Sequence, residues 1–110
     1  VNLLSAYALA NAPEFGAVSV SHAACLSLSH WLRAELRKGG VRLLNAFAGP
    51  LDDEWYQSVP APRVSAGQLA DGIIDGLRRG LEEIYVGDVA RDIRARLAAN
   101  PKALEREIGR

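Results

Sequence analysis

Three short apolar runs, each followed by a stretch with helical spacing, constrain this 110-residue chain more than any other feature. Val1–Leu4, stopping at Ser5, reads as a buried parallel strand. Val41–Phe47 reads as a second and Glu83–Val86 as a third. Residues 6–16 are small and turn-prone, with Asn11, Pro13 and Gly16, and read as a loop. From about Ala17 to Lys38, Val18, Cys25, Leu28, Leu32 and Leu36 recur at helical spacing, and Gly39-Gly40 ends the pattern. Arg33, Arg37 and Lys38 suit the negative end of that helix's dipole.

The later connections carry clearer punctuation. Ser65-Ala66-Gly67-Gln68 is a capping box, in which serine accepts from the third helical amide and Gln68 reaches back. The helix it opens places Leu69, Ile73 and Leu77 at spacing four, and Gly80 closes it. Asp88 is the expected N-cap of a helix with Val89, Ile93 and Leu97 on one face. Asn100-Pro101 breaks that helix and starts a short last one. The order β-α-β-α-β-α predicts an α/β domain, with parallel strands joined by right-handed helical crossovers. Residues 50–63 hold three of the five prolines together with Asp52, Asp53, Trp55 and Tyr56, and read as a long, functional loop.

Charge and length exclude several classes. Thirteen basic residues balance thirteen acidic ones, which argues against nucleic acid or an anionic membrane as partner. The longest apolar runs fall far short of the ~20 residues a bilayer span needs. Residues 1–15 hold Glu14 and no basic residue, against a signal peptide, so a cytoplasmic location is expected. Cys25 is the only cysteine, and with only His22 and His30 nearby it makes a poor zinc site, so no metal is expected. The chain has no methionine and opens inside a strand, as a piece of a longer protein would.

Three segments together carry a family resemblance: Val1-Asn2-Leu3-Leu4-Ser5, Val18-Ser19-Val20-Ser21-His22-Ala23-Ala24 and Ala48-Gly49-Pro50-Leu51. Their order and spacing resemble the C-terminal half of a short-chain dehydrogenase/reductase. In that family a serine ends one strand, a Tyr-x-x-x-Lys pair lies on the next helix, and a Pro-Gly turn follows the next strand. The resemblance implies a single partial domain over residues 1–110, the C-terminal half of a Rossmann-like doubly wound parallel sheet. The N-terminal dinucleotide-binding half is expected to be absent. No glycine-rich turn follows a strand here, so the dinucleotide fingerprint is missing.

The resemblance also assigns roles. Ser5 stands where the family's serine fixes the substrate carbonyl. Val18 stands at the tyrosine position and has no proton to transfer. His22 stands at the lysine position, where a cation holds the nicotinamide ribose, and is shorter than lysine. Gly49 is the residue carried over to the cofactor-binding turn, and Asp52, Trp55 and Tyr56 to the substrate loop. Plain readings stand beside these: a strand-end serine, a polar residue on the exposed side of a helix, a simple turn and a solvated acidic loop. Tyr7 and Tyr56 are the phenols that can supply a displaced proton.

Three readings follow, the third being an unrelated small α/β domain that shares only the topology. The first is an NAD- or NADP-dependent oxidoreductase homologue acting on a carbonyl or alcohol, inactive as this chain alone. The second is a non-catalytic relative kept as a binding or assembly module. As partners, the resemblance implies a homodimer through helix 17–38 or a separate N-terminal half.

Overall fold

The computed structural model describes residues 1–52 and 62–109. Its three strands form one parallel sheet in the order β1 (Asn2–Ser5), β2 (Asn45–Ala48), β3 (Glu83–Val86). The helices are α1 (Gly16–Arg37), α2 (Ala66–Arg78), α3 (Asp88–Ala99) and α4 (Pro101–Ile108). Two single 3-10 turns, Ala6–Ala8 and Pro13–Phe15, occupy the segment read as a loop. The second strand is shorter than expected: Val41–Leu44 leads into it, with Leu43 and Leu44 already buried.

Side-chain alternation along β2 sorts the helices onto two faces. Leu44, Ala46 and Ala48 pack with Ile84, Val86 and Leu69 of α2. Asn45 points the other way, where its Nδ2 donates to Ser29 Oγ of α1 at 2.9 Å. Tyr85 of β3 shares that second face, stacked on Phe47 at 5.2 Å and covered by Arg94 of α3. The sheet is thus doubly wound, as expected. It corrects the expectation of two right-handed crossovers, however. The strands advance in one direction while α1 and α2 lie on opposite faces, so the two connections have opposite hands. Two glycines let α2 lie close to the sheet. A Cβ on Gly72 would stand 2.9 Å from Val86, and one on Gly76 would stand 2.8 Å from Ile84.

The face of α1 also differs from the expected one. Cys25 and Leu28 are exposed, whereas Ser19 and Ser29 are the buried residues of this helix. Ser29 lies against the sheet because its hydroxyl is spent twice, donating to Leu26 O at 2.7 Å and accepting from Asn45. Asn45 in turn accepts from Asn2 Nδ2 at 3.2 Å, so both strands and the helix share one polar link. At its C-terminal end α1 is tied to the segment before β3. Arg33 donates to Glu82 O at 3.0 Å and Arg37 to the Glu82 carboxylate at 2.6 Å. The Arg37 hydrogen bond holds that carboxyl below its usual range.

The capping box forms as read: Gln68 N donates to Ser65 Oγ, and Ser65 N donates to Gln68 Oε1. The Asp88 N-cap does not. Gly87 takes the cap position of α3 with φ +89, and Asp88 becomes the first helical residue, paired to Arg91. A side chain at residue 87 would be strained at that φ, and its Cβ would come within 2.5 Å of Val64, so glycine alone fits there. Asn100 caps α4 through the Ala103 amide, with Pro101 at the first helical position. A second core of Ala6, Ala10, Ala90, Ile93 and Leu104 joins α3 and α4 to the segment after β1.

Candidate active site

Parallel strands end together, so residues at their C-terminal ends face one another across the mouth of the sheet. Ser5 ends β1 and is paired with Ala48 at the end of β2. The first turns of α1 pass over this end and bring Val18 and His22 against it. A cavity of about 210 Å³ lies between them, walled by Leu4, Phe15, Val18, Ala48, Leu51 and Leu69, with Ser5, Tyr7, His22 and Gly49 also on its lining. No Asp, Glu, Lys or Arg side chain lines it.

Two hydrogen bonds set the polar side of the cavity. The Ser5 backbone amide donates to His22 Nδ1 at 2.8 Å. The Tyr7 amide donates to Ser5 Oγ at 3.1 Å, which starts the 3-10 turn after β1. Tyr7 stacks on Phe15, with centroids 4.7 Å apart, and both rings line the cavity. A ring nitrogen that accepts an amide proton carries none itself, so the neutral His22 imidazole holds its proton on Nε2.

The structure therefore brings Ser5, Val18, His22 and Gly49 together, as the spacing of the three sequence segments implies. Gly49 has a packing reason of its own, since a Cβ there would stand 2.9 Å from the Val89 side chain. Asp52 does not line the cavity. It is exposed, its carboxylate 3.7 Å from Arg63, and its amide donates to Val64 O. Trp55, Tyr56 and most of the proline-rich loop lie outside the described residues. Tyr7 was a secondary candidate in the sequence and proves to be part of the wall. The small-residue turn that aims it there follows Ser5 directly. No cluster of three or more metal-ligating side chains occurs among the described residues. No helix among them is long and apolar enough to cross a membrane.

A parallel sheet wound on both faces, with a serine ending one strand beneath the start of the following helix, defines the C-terminal half of a Rossmann-like dehydrogenase fold. The structure matches that of a short-chain dehydrogenase from Burkholderia cenocepacia J2315 in complex with NADP, at a TM-score of 0.92 and 34% sequence identity. The match covers 97% of this chain and 45% of that one, so this chain spans less than half the length of the protein it resembles. The chain is thus similar in fold to part of a short-chain dehydrogenase/reductase, the likeness its three sequence segments carry. No protein-family model matches the sequence. No curated protein matches it either.

Proposed function

We propose that this chain is the substrate-facing half of an NAD(P)-dependent oxidoreductase of the short-chain type, one that acts on a carbonyl or alcohol, and that the chain alone is inactive. The carrying observation is the juxtaposition of Ser5, Val18 and His22 on one cavity wall. Ser5 keeps the hydroxyl that would hold a substrate oxygen. Val18 occupies the place from which the family's tyrosine passes a proton and offers only methyl groups. His22 is held by the Ser5 amide, so its Nδ1 is committed to the strand end rather than to a ribose.

The neighbouring structure holds NADP, and that supports a nicotinamide cofactor for the family fold. The residues described here fit the whole dinucleotide poorly. The cavity wall has no cation for a pyrophosphate, and no glycine-rich turn follows a strand. No chemical step is therefore assigned to a cofactor on these residues, and a single partial domain over residues 1–110 is part of the proposal. A cytoplasmic location belongs to the same reading.

Titration of the 110-residue chain with NADPH, followed by nicotinamide fluorescence, tests it alongside an assay of ketone reduction. The expected result is no saturable change at micromolar concentration and no NADPH consumption. Saturable binding with turnover would overturn the assignment.

One observation favours a second reading, that of an assembly module. The side of α1 turned away from the sheet exposes Val20, Leu28 and Trp31, an apolar stripe that fits pairing with a second copy or with a separate N-terminal half.

A further inference from the structure

At the end of the sheet where the strands begin, opposite to Ser5, three guanidiniums share a cavity with one carboxylate. The cavity, about 100 Å³, is lined by Arg33 and Arg37 of α1, Arg42 before β2, and Leu81 and Glu82 before β3. Guanidiniums stay charged in proteins, so three cations against one anion leave the lining positive. Glu82 answers only part of this charge. Its carboxylate accepts from Arg37 at 2.6 Å, and its backbone carbonyl accepts from Arg33 at 3.0 Å.

Two donor groups are left over. Arg33 Nε is buried without a hydrogen-bond partner among the described residues, and Glu82 Oε2, at 3.9 Å, is too far to serve. The Arg33 side chain is only 11% exposed, so water has little access to it. Arg42 makes no ion pair with a described carboxylate. Its guanidinium lies beside the turn after α2, 3.4 Å from where a Cβ on Gly80 would stand. The dipole of α1 explains Arg37, which sits in the last turn. It does not explain Arg42, which belongs to no helix, or a buried donor left unmet on Arg33.

The lining narrows what fits. Excess positive charge selects an anion, and the planar guanidinium fork matches phosphate oxygens in particular. Roughly 10–15 Å³ holds one water, so about 100 Å³ takes a phosphoryl group and leaves a nucleotide outside. Val41, half exposed, and Leu81, partly exposed, add apolar surface on the same lining.

We propose that this cavity binds a phosphoryl group, as free phosphate or on a small monoester, held by Arg33 Nε–H and the Arg42 guanidinium. The bound anion ties α1 to the segments that lead into β2 and β3. The site lies at the far end of the sheet from Ser5 and is independent of the family reading.

The test is a set of NMR titrations of the isotope-labelled chain with inorganic phosphate, phenyl phosphate and chloride, at constant ionic strength near neutral pH. Both phosphates should shift the Arg33 Nε–H and the Gly80 and Leu81 amides saturably, and chloride should not. Tighter binding of phenyl phosphate assigns the site to a monoester, its ring on Val41 and Leu81. Equal affinity assigns it to the free anion, and either result supports the proposal. Arg42→Gln should weaken both ligands by about tenfold, the value of one charge-assisted hydrogen bond. Arg42→Lys keeps the charge without the fork and should recover part of the loss. Because Arg42 is exposed and unpaired, both variants should unfold at the parent's midpoint in phosphate-free buffer. Phosphate should raise that midpoint for the parent and for Arg106→Gln, on α4, but much less for Arg42→Gln. Chloride acting like phosphate, unchanged affinity in Arg42→Gln, an equal loss in Arg106→Gln, or no shift at Arg33 Nε–H would each overturn the proposal.

Discussion

The Ser5 amide and the His22 imidazole are joined across 2.8 Å, the strand end donating and the helix accepting. Seventeen residues separate them in sequence, and the bond fixes the entry of α1 over the mouth of the sheet. A side chain that the family comparison would assign to a cofactor thus closes a contact within the chain itself.

The first prediction follows from that contact. His22→Ala leaves a part-buried amide without its acceptor and should cost about 1–3 kcal/mol of stability in denaturant unfolding. His22→Gln supplies an amide oxygen and should recover part of the loss. Amide exchange at Ser5 should quicken in the alanine variant. Equal stability of all three proteins would show that the bond contributes nothing to α1 placement.

The polar link inside the sheet gives a second. Asn45 and Ser29 are both fully buried, and Ser29→Ala strands the Asn45 Nδ2 donor. The expected loss is about 1–3 kcal/mol, larger than the removal of one oxygen from a solvated serine would bring. Ser21→Ala is the control: its hydroxyl bonds only to carbonyls of its own helix and is exposed, so unfolding midpoints should barely move.

Helix propensity and packing make opposite demands on the glycines of α2, and the distances decide between them. Gly76→Ala would set a Cβ 2.8 Å from Ile84 Cγ2, so it should destabilise by about 1–3 kcal/mol despite alanine's better helix propensity. Gly67→Ala meets nothing closer than 3.9 Å and should stabilise by a few tenths to about 1 kcal/mol. Thermal unfolding of the two variants, side by side, reads the sign directly.

Tyr85 supplies the pH dependence. Burial raises its pKa above the ordinary value, helped by the hydrogen bond it donates to Glu83 at 2.9 Å. Its protonated form is the one favoured in the folded chain. The stability it contributes is therefore complete below the unfolded tyrosine pKa near ~10 and is lost as pH rises through the higher folded value. Tyr85→Phe should flatten the alkaline limb of the stability profile above about pH 10. Ultraviolet titration of the folded chain should show a tyrosine ionising late, and that late step should vanish in the variant.

These residues also show what the sequence made legible. Strand and helix order could be read because apolar runs, Gly39-Gly40, Gly80 and the Ser65–Gln68 box are local signals, and local chemistry decided them. The sheet-facing side of α1 could not, because Cys25 and Leu28 looked like core by hydropathy while two serines took the buried places. One available clue was Asn45, an amide inside an apolar strand, which a buried site obliges to find a partner. The hand of the second crossover was hidden for a different reason: it depends on which face α2 occupies, and glycines 72 and 76 reveal that only once Val86 and Ile84 are placed against them. For the site, spacing brought Ser5, Val18 and His22 together correctly. That His22 turns inward to the strand amide is a matter of reach, which spacing does not encode.

The outer side of α1 carries the last prediction. Val20, Leu28 and Trp31 fall on one stripe at helical spacing, opposite Ser29, and all three are more than half exposed. Burying such a stripe against its own copy is favourable at roughly 25 cal/mol per Å² of apolar surface, and a two-fold axis lets each residue meet its equivalent. Light scattering at low micromolar concentration should therefore report a dimer rather than an 11.8 kDa monomer. Trp31→Glu places a charge in the stripe without touching the sheet, and should shift the population to monomer while leaving the helical signal in circular dichroism intact. Trp31 fluorescence should move to the red on dilution of the unmodified chain. A monomer at every concentration, with a cooperative thermal transition, would show that this surface is tolerated in water and that the homodimer is not formed.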